Sequence, residues 1–164
     1  MSYGQVTVNG VTYIERVQIF PLEVQVANSG QIITGQRVVL PGVANFRLKG
    51  LTRTVVKSNA VVTTCPFKFR LGNSDGSTWY SQGGVTGTLG SNSPAGGSID
   101  RVLDSLMFGS GQFPYPLIPS LYYSASGAIL YEVEDISSNA PYTIYFGFHG
   151  SYLLQAPPSG SSGS

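Results

Sequence analysis

The amino-acid sequence predicts an all-β fold, an antiparallel β-sandwich with one short helix, and three observations carry that reading. Apolar residues alternate with polar ones: Ile129, Tyr131 and Val133 against Leu130, Glu132 and Glu134, then Ile144, Phe146 and Phe148 against Thr143, Tyr145 and Gly147. This two-residue period marks strands with one face on a core, and a slip of one residue would carry both glutamates inward and both phenylalanines out. Composition agrees, with 10% charged and 12% aromatic residues beside 21 glycines and 10 prolines in 164 residues, which suits short strands joined by turns. Asn9-Gly10 sits between two apolar-alternating runs, where its tolerance of positive φ closes a tight hairpin.

Taken in order, Gln5–Val8 and Val11–Ile14 form that hairpin, and a run from Arg16 to Phe20 ends at Pro21. Leu22, Val24 and Val26 alternate with Glu23 and Gln25 before a turn at 28–30. Gly35 separates Gln31–Thr34 from Arg37–Leu40, which leads into Pro41-Gly42. Residues 1–43 therefore read as N-terminal strands with a possible interaction arm, residues 44–155 as the sandwich core, and residues 156–164, rich in Ser, Gly and Pro, as a flexible tail.

Within the core region, Phe46 and Leu48 oppose Arg47 and Lys49, and Gly50 interrupts before a strand from Leu51 to Lys57. Phe67, Phe69 and Leu71 alternate with Lys68 and Arg70, a strand expected to point its bases outward. Residues 82–98 are Gly, Ser, Thr, Asn and Pro with Val85 and Leu89 as apolar anchors, too little side chain to fix itself, and read as a long loop or extended arm. Ser98 is placed to cap a helix over Ile99–Phe108, with Ile99, Val102, Leu103, Leu106 and Met107 on one face and Gly109 ending it. The prolines of 113–119 force an extended path expected to cross from one sheet to the other. The runs 128–136 and 142–149 then read as a closing hairpin about the turn at 137–141.

The chemistry is sparse. Gly72–Gly76 matches G-x-S-x-G, but a hydrolase elbow needs a helix after Ser74, and the residues that follow favour strand, so Ser74 reads as a turn residue. His149 is the only histidine, which excludes multi-histidine metal sites. Cys65 is alone and reads as a small buried thiol, with no internal disulfide. Glu132, Glu134 and Asp135 are the densest carboxylates; an exposed strand face, or one paired with bases across a subunit boundary, is favoured over cation binding or glycoside hydrolysis. Asp100 and Asp104 suit the first turns of the expected helix. The pairs Gly83-Gly84 and Gly96-Gly97 have no lysine nearby and make no phosphate loop. The expectation is a protein that is not an enzyme and uses no cofactor or metal.

A net charge of +1 supplies no field to attract nucleic acid or an anionic membrane, and no apolar run approaches the roughly 20 residues of a bilayer span. The opening residues lack a basic stretch followed by an apolar one, so synthesis and assembly in a cytoplasm are expected. Low charge with many aromatics favours a surface covered by partners. Trp79, Tyr80, Tyr115, Tyr122 and Tyr123 suit either stacking on sugars or a protein interface. Tyr3, Val85, Leu89, Tyr115, Tyr122 and Tyr123 are the candidate interface residues, a set that draws on the segments with little self-burial and on the aromatics.

From residue 44 to 154 the ordered pattern resembles the small β-sandwich virion proteins of tailed bacteriophages, particularly capsid decoration or cement proteins. The resemblance rests on Phe67 to Tyr80, the Leu106–Gly109 segment, the proline run 113–119, the strand opened by Ser126-Gly127 and ending at Asp135–Ala140, and the aromatic strand Tyr145–Tyr152. It implies a jelly-roll-like sandwich, a homo-oligomer (dimer or trimer) on the capsid surface of the virion, and the major capsid protein as partner. Cement that stabilises contacts between coat subunits is the function implied. The alternative is a receptor- or carbohydrate-binding module of a phage tail or head fibre.

Overall fold

The computed structural model of the chain describes residues 4–74, 78–80, 101–109 and 113–156. The strands are β1 (Gly4–Val8), β2 (Val11–Val26), β3 (Ile32–Val39), β4 (Asn45–Lys57), β5 (Ala60–Val61), β6 (Phe67–Asn73), β7 (Thr78–Tyr80), β8 (Val102–Leu103), β9 (Tyr115–Tyr123), β10 (Ala128–Asp135) and β11 (Tyr142–Gln155). Among the described residues they form two antiparallel sheets. The first runs β1-β2-β11-β4-β5, with β9 also on β4; the second runs β3-β10-β6-β7, with β8 also on β6. From β2 onward the chain crosses between the sheets at most of its connections, and the result is an all-β sandwich.

The core lies between the sheets and is aromatic. Phe67, Phe69 and Tyr131 of the second sheet meet Phe146 and Phe148 of the first at ring-centroid distances of 5.3 to 6.3 Å, mostly edge-on or tilted, with Phe108 against Phe69 at 4.8 Å. A second group, Phe20, Phe46 and Tyr152, packs within the first sheet. Edge-to-face rings add to the burial that drives the sheets together.

Alternation names the core face of β6, β10 and β11 correctly, but it does not name strand partners. β10 and β11 are not a hairpin. β10 pairs with β3 and β6 in one sheet, and β11 pairs with β2 and β4 in the other, so residues 136–141 form a crossing between sheets. β2 likewise continues through Pro21, which lies opposite Gly147, and pairs with β11 from Tyr13 to Val26. Beyond Glu15 its other edge has no strand neighbour among the described residues, the setting in which a strand tolerates proline. The strands of residues 11–39 are thus members of both sheets.

The expected helix over Ile99–Phe108 is also corrected within the described part of that stretch. Val102 and Leu103 pair with Phe69 and Lys68, and only Asp104–Leu106 turns, as a short 3-10 helix. Arg53 forms an ion pair with Asp104 at 2.5 Å, and the amides of Met107 and Phe108 donate to the Asp104 carbonyl. Sheet pairing has overridden a helical spacing whose face holds exposed Leu103 and Leu106. The proline run does pass from the second sheet to the first, and it becomes the edge strand β9. In β4 an extra residue, Lys49, makes a bulge at Gly50, so the inward set switches from Phe46 and Leu48 to Leu51 and Val55. Gly150 faces that bulge because a Cβ there would strike the Arg47 carbonyl and the Phe46 ring.

One carboxylate ties the crossings together. Asp135 is buried at the end of β10 and accepts hydrogen bonds from the Gly30 amide at 2.9 Å, the Ser137 amide at 2.9 Å and the Tyr142 hydroxyl at 2.7 Å. Burial acts to raise its pKa, and the bonds from Tyr142, Ser137 and Gly30 outweigh that and hold it below the ordinary carboxylate value. Tyr142 is pushed up by burial and by Asp135. Asp135→Ala orphans the buried Ser137 amide and Tyr142 hydroxyl, along with the exposed Gly30 amide, and is expected to destabilise the fold by about 3 kcal/mol, measured by urea unfolding at neutral pH. The folded carboxyl is depressed, so its stabilisation is complete above about pH 4 and is lost as pH falls through the folded value. The same titration on Asp135→Asn should show a shallower acid loss than the unmodified chain.

Candidate interaction surface

The outer face of the second sheet holds a charged cluster rather than open solvent. Glu132 Oε2 accepts from Arg70 Nη2 at 2.7 Å, from Arg70 Nε at 3.0 Å and from Arg101 Nη2 at 2.8 Å, and Arg101 Nη1 reaches Glu134 at 3.5 Å. Arg70, Arg101, Glu132, Glu134 and Asp135 are all buried. The expected exposed acidic face and outward Arg70 are therefore corrected. Arg70, Glu132 and Glu134 do point away from the aromatic core, but the segment carrying Arg101 lies against that face and supplies the counter-charge. With two guanidiniums on one carboxylate, the group is a structural clasp and not a free acid–base pair.

The first sheet's outer face is more open. Glu15 pairs with Lys49 at 2.6 Å and with Arg47 at 3.5 Å, and Arg47 lies over the Tyr122 ring at 5.6 Å. Burial works against the Glu15 charge, and Lys49, Ser151 and Arg47 reverse it, leaving the pKa lowered. Thr52 Oγ1 and His149 Nε2 lie 2.9 Å apart over Gly147, and burial lowers the histidine's pKa. Ser74 directly follows β6 of the opposite sheet, bonded to Asn73, so the sandwich separates it from His149. Cys65 is buried. Among the described residues no group of three or more His, Cys, Asp or Glu side chains is placed to hold a metal ion.

Of the candidate interface residues, Tyr115 and Tyr122 are exposed on β9, at 46% and 47%. Tyr123 is 1% exposed and is a core residue, because adjacent positions on a strand take opposite faces. Tyr3, Val85 and Leu89 lie outside the described residues, as do the side chain of Trp79 and the arm at 82–98.

The structure adds residues that the sequence reading passed over. Ile118 is 83% exposed and Leu106 61%, gathered with Tyr115 where β9 meets the 3-10 turn, and Phe113, 74% exposed, stands two residues before β9. A depression of about 420 Å³ opens there, lined by Val102, Leu106, Met107, Tyr115, Pro116, Leu117 and Ile118. The prolines held the signal: a run that cannot donate ladder hydrogen bonds belongs on a sheet edge, so its apolar residues face outward or a partner. Large side chains exposed side by side mark an interaction surface more often than scattered single ones do.

No protein-family model, curated protein or solved structure matches this chain.

The clasp is tested by removing its centre. Glu132→Ala leaves Arg70 and Arg101 buried against each other and is expected to cost about 3–5 kcal/mol, read as a lower urea midpoint, with Glu132→Gln losing less.

Proposed function

We propose that this chain is a virion structural protein that binds the outer surface of a capsid and stabilises contacts between major coat subunits. The observation that supports the reading is the apolar edge formed by Leu106, Tyr115 and Ile118, with exposed Phe113 just before β9. Such an edge loses water favourably on docking, at roughly 25 cal/mol for each Å² of apolar surface covered. Its aromatic content resembles the centre of protein interfaces. Near-zero net charge fits a subunit packed among neighbours, since it brings no repulsion between many copies held side by side. The resemblance to phage cement proteins supplies the setting. Homo-oligomerisation and the major capsid protein as partner belong to the same proposal.

The mechanism is cohesion. Each contact is modest, and repetition over a symmetric shell turns modest contacts into strong retention, because a copy bound at one point meets its second at high effective concentration.

Co-sedimentation with purified shells tests the reading. The unmodified chain is expected to pellet with shells and to raise the temperature at which they rupture. The double variant Phe113→Asp, Ile118→Asp should bind at least about tenfold more weakly while its own unfolding midpoint stays unchanged, since both side chains are solvent-facing. An unmodified chain that stays in the supernatant, or shells that survive heat and osmotic shock equally without it, would overturn the proposal.

A further inference from the structure

A second cavity lies at the opposite kind of place, on the outer face of the first sheet where β2 ends and β11 begins. It is an open depression of about 330 Å³ whose polar lining includes Gln25, Lys57, Ser58, Asn59, Thr143 and Tyr145, with Val26, Val56 and Pro141 among its apolar members. Its floor is a cross-strand row: Thr143 stands opposite Gln25 on one side and Val56 on the other, and Tyr145 stands one rung along, between Glu23 and Thr54.

Its walls are fixed. Ser58 and Asn59, at φ of 50° and 63°, close the turn between the pairs Lys57–Ala60 and Val56–Val61. At the other side the Gln31 side chain accepts from the amides of Ala27 and Asn28, which holds the end of β2. Tyr142 is anchored by Asp135. A site assembled from held elements needs little ordering when a ligand arrives.

The lining has a definite chemistry. Tyr145, 44% exposed, lines the depression and brings an aromatic ring to it. Around it stand amide and hydroxyl groups, and among the described residues no hydrogen bond uses the side chains of Ser58, Asn59, Thr143 or Tyr145. Lys57 is the single cation of the lining and donates to the Asn139 carbonyl at 2.5 Å. Glu23, held by Gln25 at 3.2 Å, stands beside Tyr145 at the rim and disfavours an anion. A neutral ligand with one apolar face and a fringe of hydroxyls matches this set. The volume falls at the small end of the range of roughly 300–1,000 Å³ that small-molecule sites occupy.

We propose that this pocket is a subsite for a neutral hexopyranose, stacked on Tyr145 and hydrogen-bonded by Gln25, Ser58, Asn59 and Thr143. This is a binding function separate from shell docking, on a different surface.

The test uses the full chain in two arms. Saturation-transfer NMR with the methyl glycosides of glucose, galactose and N-acetylglucosamine probes free sugar, and retention on agarose and cross-linked dextran beads probes sugar held in a polymer. Binding is expected in at least one arm. Tyr145→Ala should weaken it about tenfold or more, through loss of the stacking face, and Gln25→Ala, an exposed rim change, about threefold. Tyr145→Phe should retain it. Binding in neither arm, or binding that both alanine variants leave unchanged, would overturn the proposal. Phe113→Asp, Ile118→Asp should leave sugar binding intact and Tyr145→Ala should leave shell binding intact, so each reading fails by itself.

Discussion

The sandwich depends on how its two sheets are joined, and the Asp135 carboxylate is where that is decided at one end. The connection from β2 to β3 passes from the first sheet to the second, and the connection from β10 to β11 passes back. Gly30 belongs to the first crossing, Ser137 and Tyr142 to the second, and all three donate to Asp135. The Asp135 amide also donates to the Gln31 carbonyl at 2.9 Å. A buried carboxylate with this many donors is stable as the anion, and its geometry allows one relative position of the two turns. That position sets the ends of β2 and β11, and with them the register of the longest pairing among the described residues, from Val26–Tyr142 to Tyr13–Gln155.

A second constraint acts on the face of β10 turned away from the aromatic core. Burying Glu132 between two arginines is not an economical way to gain stability, since apolar side chains of similar size would do as well or better. What the cluster supplies is position. Among the described residues Arg101 bonds Glu132 and Glu134, which draws the chain leaving it beside β6, where Val102 and Leu103 pair. Arg53 then captures Asp104. The consequence reaches the surface, because this path places Leu106 next to the edge strand that carries Tyr115 and Ile118. Buried charge on one sheet and an exposed apolar edge on the other are parts of one arrangement.

The sequence made the inward faces legible because side-chain period is a local property. Phe67, Phe69 and Leu71, Ile129 and Val133, and Ile144 and Phe148 are all buried, as their alternation requires. Pairing is not local, and so β10 and β11 read as a hairpin although they belong to different sheets. The charged face of β10 failed for a related reason: alternation says that Glu132 points away from the core, while only tertiary packing decides whether water or arginine waits there. Tyr122 and Tyr123 show the limit of composition. Both are tyrosines with the same interface propensity, and strand parity alone sends one to solvent and the other inside. The sugar-sized pocket was not legible, since its residues come from β2, the β4–β5 turn and β11, and Gln25, Asn59 and Thr143 are unremarkable apart from that meeting.

The sheet edges narrow how copies and partners can meet. An open edge invites another strand, and the edge of β2 that has no strand neighbour among the described residues carries Pro21, which cannot donate to an added ladder. β3 has an extra residue against β10 near Gly35, whose positive φ of 69° bends the edge away. β9 carries Pro116 and Pro119. Backbone addition is therefore discouraged at each of these edges, and what they leave available is side chain: an apolar cluster beside β9 and a polar pocket on the first sheet's face. Side-chain contacts of this size are individually weak and geometrically particular. They suit a subunit held by several neighbours at once, where affinity comes from the number of contacts and specificity from their spacing.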